Sequence, residues 1–402
     1  KAPGPDSISP RILKELAPHI APVLSVIFNK SLQSGMIPKD WLHANISPIF
    51  KGGDRSKASN YRPVSLTCIC SKLIEHVIVS SICKHAEQHN IFSPEQFGFR
   101  SKRSCESALV TFIHEVAHKM QKGGQIDLII MDFSKAFDKV PHRRLLQKLD
   151  LYGISGQTNI WIENFLRNRN QRVVIDGVAS DWNHVDSGVP QGSVLGPVLF
   201  LIFINDLPEY VDCGIKLFAD DCILYRKISS GADTLRLQED LNNAADWETT
   251  WFMKFNPDKC KVMHVTRSPN PILSQYILHD TALETVDSSK YLGVTLSSDL
   301  SFNKHMDISI KKASDRLRFI NRNLYSASKD TKSVAYFTLV RPIVEYASIV
   351  WDPYYKNYIH SVEMVQRSAA RFVCNRYHNR SSVTDMLNDL NWPSLAQRRK
   401  QA

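Results

Sequence analysis

Apolar positions recur along this chain at two different periods, and the change from one to the other divides it. Between residues 10 and 33, Leu13, Leu16, Ile20, Leu24, Ile27 and Phe28 share one face at helical spacing, which predicts about six turns with candidate breaks at Pro18 and Pro22. Residues 44–50 alternate as a strand, Lys51-Gly52-Gly53-Asp54 reads as a loop, and Asn60-Tyr61-Arg62-Pro63 as extended chain. Helices are expected at 71–89 and 104–122, with Gly123-Gly124 closing this largely helical section.

The period then shortens. Residues 126–131 form a β-branched, continuously apolar run, the mark of a strand buried on both faces, and it ends in Asp132. Helices at 142–151 and 160–167 lead to an expected β-pair, 172–178 with 184–189, turning at Asp181-Trp182. After the loop Gly188-Val189-Pro190-Gln191-Gly192, residues 193–207 are apolar almost all round and so predict a buried helix. Residues 215–219 and 222–227 read as a hairpin with Asp220 and Asp221 at its tip, 234–254 as an amphipathic helix carrying Leu235, Leu237, Leu241, Ala244, Ala245, Trp247 and Trp251, and 261–266 and 290–296 as strands. Beyond residue 297 helical spacing returns, most clearly at 305–322, 331–340 and 362–375. Strands flanked by helical sections predict an α+β fold.

Composition narrows the class without naming a function. The 402 residues are 43% hydrophobic and 22% charged, which excludes disordered, collagenous and coiled-coil chains. The longest apolar run, 198–204, is far short of a membrane span, and no signal peptide is visible, so a soluble intracellular protein that does not engage membranes is expected. Eight scattered cysteines include no CxxC pair and read as reduced thiols. The first residue, Lys1, falls inside a motif, which reads as a fragment of a longer protein. Of the formal charge of +10, a net of +9 lies in residues 301–402, as on a surface that holds nucleic acid or on a merely soluble basic tail.

The sharpest chemical feature is the set Asp132, Asp220 and Asp221. One acid ends a strand and two tip a hairpin, ends that a single sheet can bring together. Carboxylates so placed repel unless cations intervene, and hard oxygen donors suit Mg²⁺, which keeps waters and substrate phosphates as further ligands. Two such ions form the clamp of in-line displacement at phosphorus. Taken alone, Asp-Asp in a turn is ordinary hairpin chemistry. Its neighbours add to it: Asp132-Phe133-Ser134-Lys135-Ala136-Phe137-Asp138, Gly188-Val189-Pro190-Gln191-Gly192-Ser193 and Phe218-Ala219-Asp220-Asp221 follow in that order.

These motifs resemble those of reverse transcriptases, most closely of the non-LTR (LINE-like) retrotransposons of the jockey and chicken-repeat type, and the resemblance covers essentially the whole chain. Also similar are Lys1-Ala2-Pro3-Gly4-Pro5-Asp6, Asn60-Tyr61-Arg62-Pro63-Val64-Ser65-Leu66, Glu95-Gln96-Phe97-Gly98-Phe99-Arg100, Tyr291-Leu292-Gly293-Val294, and the stretch Val340 to Ser348. The resemblance implies a right-hand polymerase with helical fingers at 1–122, a palm with a ferredoxin-like antiparallel sheet at 123–300, and a helical thumb with a basic extension at 301–402. It further implies that Asp132 and Asp220 hold two Mg²⁺ ions, with Mn²⁺ as a substitute, that Phe133 offers its carbonyl, and that Asp221 supports the site. Lys51 and Arg62 would grip the triphosphate, Phe137 would lie under the incoming sugar and exclude a 2′-hydroxyl, and Gln191 would rest against template and nucleotide. Lys259 would give a proton to pyrophosphate, and Tyr291, Leu292 and Gly293 would grip the primer.

Cys222 and Cys260 stand where related elements often have threonine. Arg367, Arg371 and Arg376 are expected close together on a thumb helix, either facing the primer–template backbone or forming a solvated face. The implied partners are an RNA template, a DNA primer or nicked target and dNTPs, with synthesis in the nucleus. An RNA-dependent RNA polymerase would share the palm acids, but Phe137 and the Phe218-Ala219-Asp220-Asp221 turn argue against it. A catalytically inert, RNA-binding copy is the remaining alternative. No ribonuclease H cluster is visible, and an endonuclease is expected upstream.

Overall fold

The computed structural model describes residues 2–121, 124–378 and 381–401. Lys1 of the opening motif, Gly123 and the expected boundary between 122 and 123 lie outside them. The fold is of the α+β class. Its strands are β1 (His43–Phe50), β2 (Tyr61–Thr67), β3 (Gln125–Met131), β4 (Arg169–Ile175), β5 (Val178–Ala179), β6 (Asn183–Val185), β7 (Gly214–Phe218), β8 (Asp221–Ile228), β9 (Lys261–Val265), β10 (Ile277–Leu278), β11 (Thr281–Ala282), β12 (Glu284–Thr285), β13 (Ser288–Tyr291) and β14 (Val294–Ser297).

The N-terminal helical run breaks once, between Pro10–Glu15 and Ala17–Ser34, so that Pro18 sits in a first turn where its missing N–H costs nothing. Pro22 does not break the helix, contrary to expectation; it forfeits one bond near the helix start. The break also rotates the apolar face. Leu13, Leu24 and Phe28 reach the core, whereas Leu16 and Ile27 are exposed.

The central sheet has the order β12-β9-β3-β8-β7. The four strands β9, β3, β8 and β7 pair antiparallel throughout, with helices inserted between β3 and β7 and between β8 and β9, which is the ferredoxin-like arrangement. β3 is buried on both faces. Ile129 and Met131 pack with the helices Leu195–Ile204 and Gly231–Trp251, while Ile126 and Leu128 pack with Leu109, Phe112 and Val116 of the helix Cys105–Met120. Leu235, expected on the inner face of its helix, points to solvent instead.

A second sheet, β2-β1-β4-β5 with β6 on β4, stands beside the first, and β1 runs parallel to β4. Its outer hairpin turns at Asp176-Gly177, both at positive φ, and not at Asp181-Trp182. Residues 186–189 are not a strand as expected; they belong to the loop that meets residues 137–140. The stretch 290–296, expected as one strand, is the hairpin β13–β14, because Leu292 and Gly293 both take positive φ, as a two-residue hairpin turn requires.

The C-terminal quarter is helical, built on Asn303–Asn323, Lys329–Leu339 and Lys356–Cys374. Arg367 and Arg371 lie on the last of these, but Arg376 falls beyond its end and pairs with Asp389. All eight cysteines are free. No helix among the described residues is long and apolar enough to cross a membrane.

His305 couples this helical section to β14. It is buried, lies edge-on to Trp351, and its Nδ1 accepts the Thr295 N–H at 3.2 Å, which requires the neutral ring. Burial, helped by Lys290, lowers its pKa to about 4. A histidine depressed in the folded state contributes stability above its unfolded pKa of 6.5 and loses it as pH falls toward 4. Denaturation midpoints are therefore expected to drop across that window, by up to roughly 3 kcal/mol in stability. In His305→Phe this part of the pH profile should flatten; an unchanged slope would assign it to other groups.

Candidate active site

Asp132 follows β3 directly. The last β3–β8 pair is Met131 with Cys222, so Asp132 stands one step beyond it, beside Asp221. Its backbone is fixed on both sides: the amide donates to Cys260 Sγ at 3.5 Å and the carbonyl accepts Asn256 N–H at 2.7 Å. The next ring, Phe133, is buried against Phe255 and Trp247, which anchors its backbone at the strand end. Cys260 thus serves as an acceptor for the Asp132 amide, and burial pushes its thiol up to about 11.

The hairpin β7–β8 closes with Phe218 paired to Asp221, so the tip is Ala219-Asp220 and only Asp220 sits on it. Asp221 is the first residue of β8, a correction to the reading that placed both acids at the tip. Burial and the Asp132 charge raise the Asp220 carboxyl, against the cations Arg62 and Lys51. Asp221 is raised to about 6 by burial of its carboxyl and by Asp220 and Asp132, with Arg62 opposing. The structure therefore brings the three acids into one electrostatic cluster, with Arg62 close enough to act on Asp220 and Asp221 and Lys51 close enough to act on Asp220. Those two cations leave adjacent strands, with Ile49 opposite Arg62 and Lys51 N–H bonded to the Asn60 carbonyl.

Lys259 Nζ lies 3.5 Å from Asp132 Oδ2, a buried oxygen that has no hydrogen bond. Among the described residues no group of three or more His, Cys, Asp and Glu side chains could hold a metal ion by itself. The donor set still suits Mg²⁺: an orphaned carboxylate oxygen, a neighbouring repelled carboxylate and a fixed strand-end backbone leave the remaining positions to water and phosphate.

Phe137 stacks on the fully buried Phe200, with ring centroids 4.5 Å apart and planes at 19°. Its carbonyl accepts the Val189 N–H at 2.7 Å, which ties this turn to the Gly188–Gly192 loop. Two glycines make that fit. A Cβ on Gly188 would stand 2.5 Å from the Asp138 carbonyl oxygen, and one on Gly192 would stand 2.5 Å from that of Ser65. Gln191 is not free: its Nε2 donates to Asp138 Oδ1 at 3.0 Å, a partner that its spacing along the chain did not reveal.

Tyr291 is buried against Phe112, so the hairpin offers Leu292 and Gly293 at its tip, held by Tyr346 Oη donating to the Leu292 carbonyl at 2.7 Å. The sequence also gave no role to Glu95-Gln96-Phe97-Gly98. That segment runs along the edge of β7 and touches the Ala219-Asp220 turn.

The family described as reverse transcriptase (RNA-dependent DNA polymerase) matches residues 49–296. The chain is 27% identical over 393 residues to a probable RNA-directed DNA polymerase from transposon BS of Drosophila melanogaster, covering 93% of this chain and 43% of that protein. It is 28% identical over 386 residues to the RNA-directed DNA polymerase from mobile element jockey of the same species, covering 92% and 42%. The chain thus spans less than half the length of these curated relatives. Among solved structures, Candida tropicalis telomerase in complex with a fragment of telomeric RNA aligns over 92% of this chain and 68% of that one, at 10% identity and a TM-score of 0.47.

Proposed function

The chain belongs to the reverse transcriptase family, and from that premise we propose that it is an RNA-directed DNA polymerase of non-LTR retrotransposon type, extending a primer 3′-hydroxyl on an RNA template. The observation that carries this is the convergence of Asp132, Asp220 and Asp221 at adjoining strand ends, with Arg62 acting on Asp220 and Asp221 and Lys51 on Asp220. Asp132 and Asp220, with the Phe133 carbonyl, would hold the divalent ions, and Asp221 would support them. Bound there, Mg²⁺ would supply Lewis-acid stabilisation of the charge that develops on the α-phosphate.

The side chains supply the rest. Arg62 offers a planar fork and Lys51 a mobile charge to the triphosphate, and neither is engaged in an ion pair among the described residues. Lys259, 3.5 Å from Asp132, would donate from Nζ to departing pyrophosphate. Phe137 floors the sugar site. Gln191, pinned by Asp138, presents a fixed surface to template and nucleotide. Leu292 and Gly293 meet the primer end, and the basic helices beyond residue 300 face its backbone. Fingers to 122, palm at 123–300 and thumb from 301 is the division that follows, with nuclear synthesis on a nicked target as the setting.

Primer extension on an RNA template with dNTPs and Mg²⁺ tests this reading, and extension that stops on chelation and returns with Mg²⁺ or Mn²⁺ is expected. RNA binding without extension under either ion would overturn it in favour of an inert RNA-binding copy.

A further inference from the structure

We propose that Gln96 is the positioning residue of the Ala219-Asp220 turn: its side-chain carbonyl, 123 residues away in sequence, sets where the Asp220 carboxylate stands. The activity half of the test rests on the polymerase reading above; the structural half does not.

Ala219 sits at φ +54, a left-handed conformation that is strained for a residue bearing a Cβ. Because Phe218 pairs directly with Asp221, the Ala219 N–H falls outside the hairpin ladder and needs an acceptor elsewhere. Gln96 Oε1 supplies it at 2.9 Å and accepts the Gly98 N–H at 2.7 Å as well, using both lone pairs of one carbonyl. The Gln96 side chain is buried, with the residue 1% exposed. Gly98 completes the fit, since a Cβ there would stand 2.3 Å from the Ala219 nitrogen.

The base is firmer than the turn it holds. Along the free edge of β7, Phe97 N–H bonds to the Leu217 carbonyl at 2.8 Å and Leu217 N–H to that of Glu95 at 3.0 Å. Lys216, buried, pairs with Glu95 at 2.5 Å and Glu115 at 2.9 Å. Arg103 donates to the Gln96 carbonyl at 3.1 Å and lies over the Phe97 ring. Three consecutive residues, Glu95, Gln96 and Phe97, are therefore tied down before the Gln96 side chain reaches across. An amide also suits the place better than a carboxylate: it offers an acceptor without adding a charge beside three acids. Its Nε2 has no partner, so acceptance is the function in use. Reacting groups must be held within about 0.5 Å, so a loosened Ala219 misplaces its neighbour Asp220.

The test compares the full chain with Gln96→Met, which keeps the shape and removes the acceptor, and Gln96→Glu, which keeps an acceptor. Amide hydrogen exchange on peptides covering Gly98 and Ala219 is read against the interior of β8, beside kcat and KM for dNTP. Gln96→Met should speed exchange in those two peptides by about tenfold with β8 unchanged, and lower kcat by about tenfold with KM for dNTP within about threefold. Gln96→Glu should retain the protection. Parental exchange in Gln96→Met, or fast exchange with parental kcat, overturns the proposal. Should Gln96→Met fail to fold, loss of Ala219 protection in folded Gln96→Glu overturns it and retention supports it. Should the parent extend no primer, the polymerase reading fails, and exchange alone still decides whether Gln96 holds the turn.

Discussion

Asp220→Asn is expected to lower kcat for primer extension by about a thousandfold while leaving the thermal midpoint of the metal-free protein unchanged or higher. The two effects have one cause. Asp220 is held above the ordinary carboxylate range by burial and by Asp132, so its charge opposes folding, and the isosteric amide relieves that opposition. The same charge is what a divalent ion would need. A purely structural turn residue would behave differently: Asn is common in turns, and stability and activity would both stay near parental. The loss should appear in kcat, and the stabilisation that Mg²⁺ gives the parent should shrink in the variant. Extension by Asp220→Asn at a near-parental rate would remove this residue from the site.

Much of the central sheet and its helices was legible because it depends on local pattern. β3 reads as an unbroken apolar run since it is buried on both faces, and the helix Leu195–Ile204 is apolar all round for the same reason. What escaped depends on partners far away in the chain. The hairpin tip was read one residue late because the acceptor for Ala219 N–H comes from Gln96, outside the hairpin. Tyr291 falls inside the core because Phe112 of a distant helix receives its ring. The partner of Gln191 escaped because Asp138, 53 residues earlier, gives no sign in sequence of accepting its amide. One miss was local: Asp176-Gly177 carries a stronger hairpin signal than Asp181-Trp182, and both of its residues take the positive φ that such a turn needs. The candidate acids themselves were found by type and order, whereas the devices that aim them were not.

Phe137→Ala is expected to raise ribonucleotide incorporation relative to deoxynucleotide by roughly ten- to a hundredfold, measured as the ratio of kcat/KM values on one template. A ring excludes a 2′-hydroxyl only if it cannot move aside, and Phe137 is braced underneath by Phe200, whose own side chain is fully buried in a packed helix. Its backbone is held by the Val189 N–H, and Gly188 lets that loop approach without a Cβ in the way. The ring is only partly buried, so one side remains open to whatever occupies the site. Truncation should therefore cost modest stability and change selectivity, mostly through a lower KM for the ribonucleotide. Phe137→Tyr, which keeps the ring, should keep the discrimination. A core phenylalanine without contact to the sugar would give the opposite pattern, with stability lost in Phe137→Ala and the ratio of the two nucleotides unmoved.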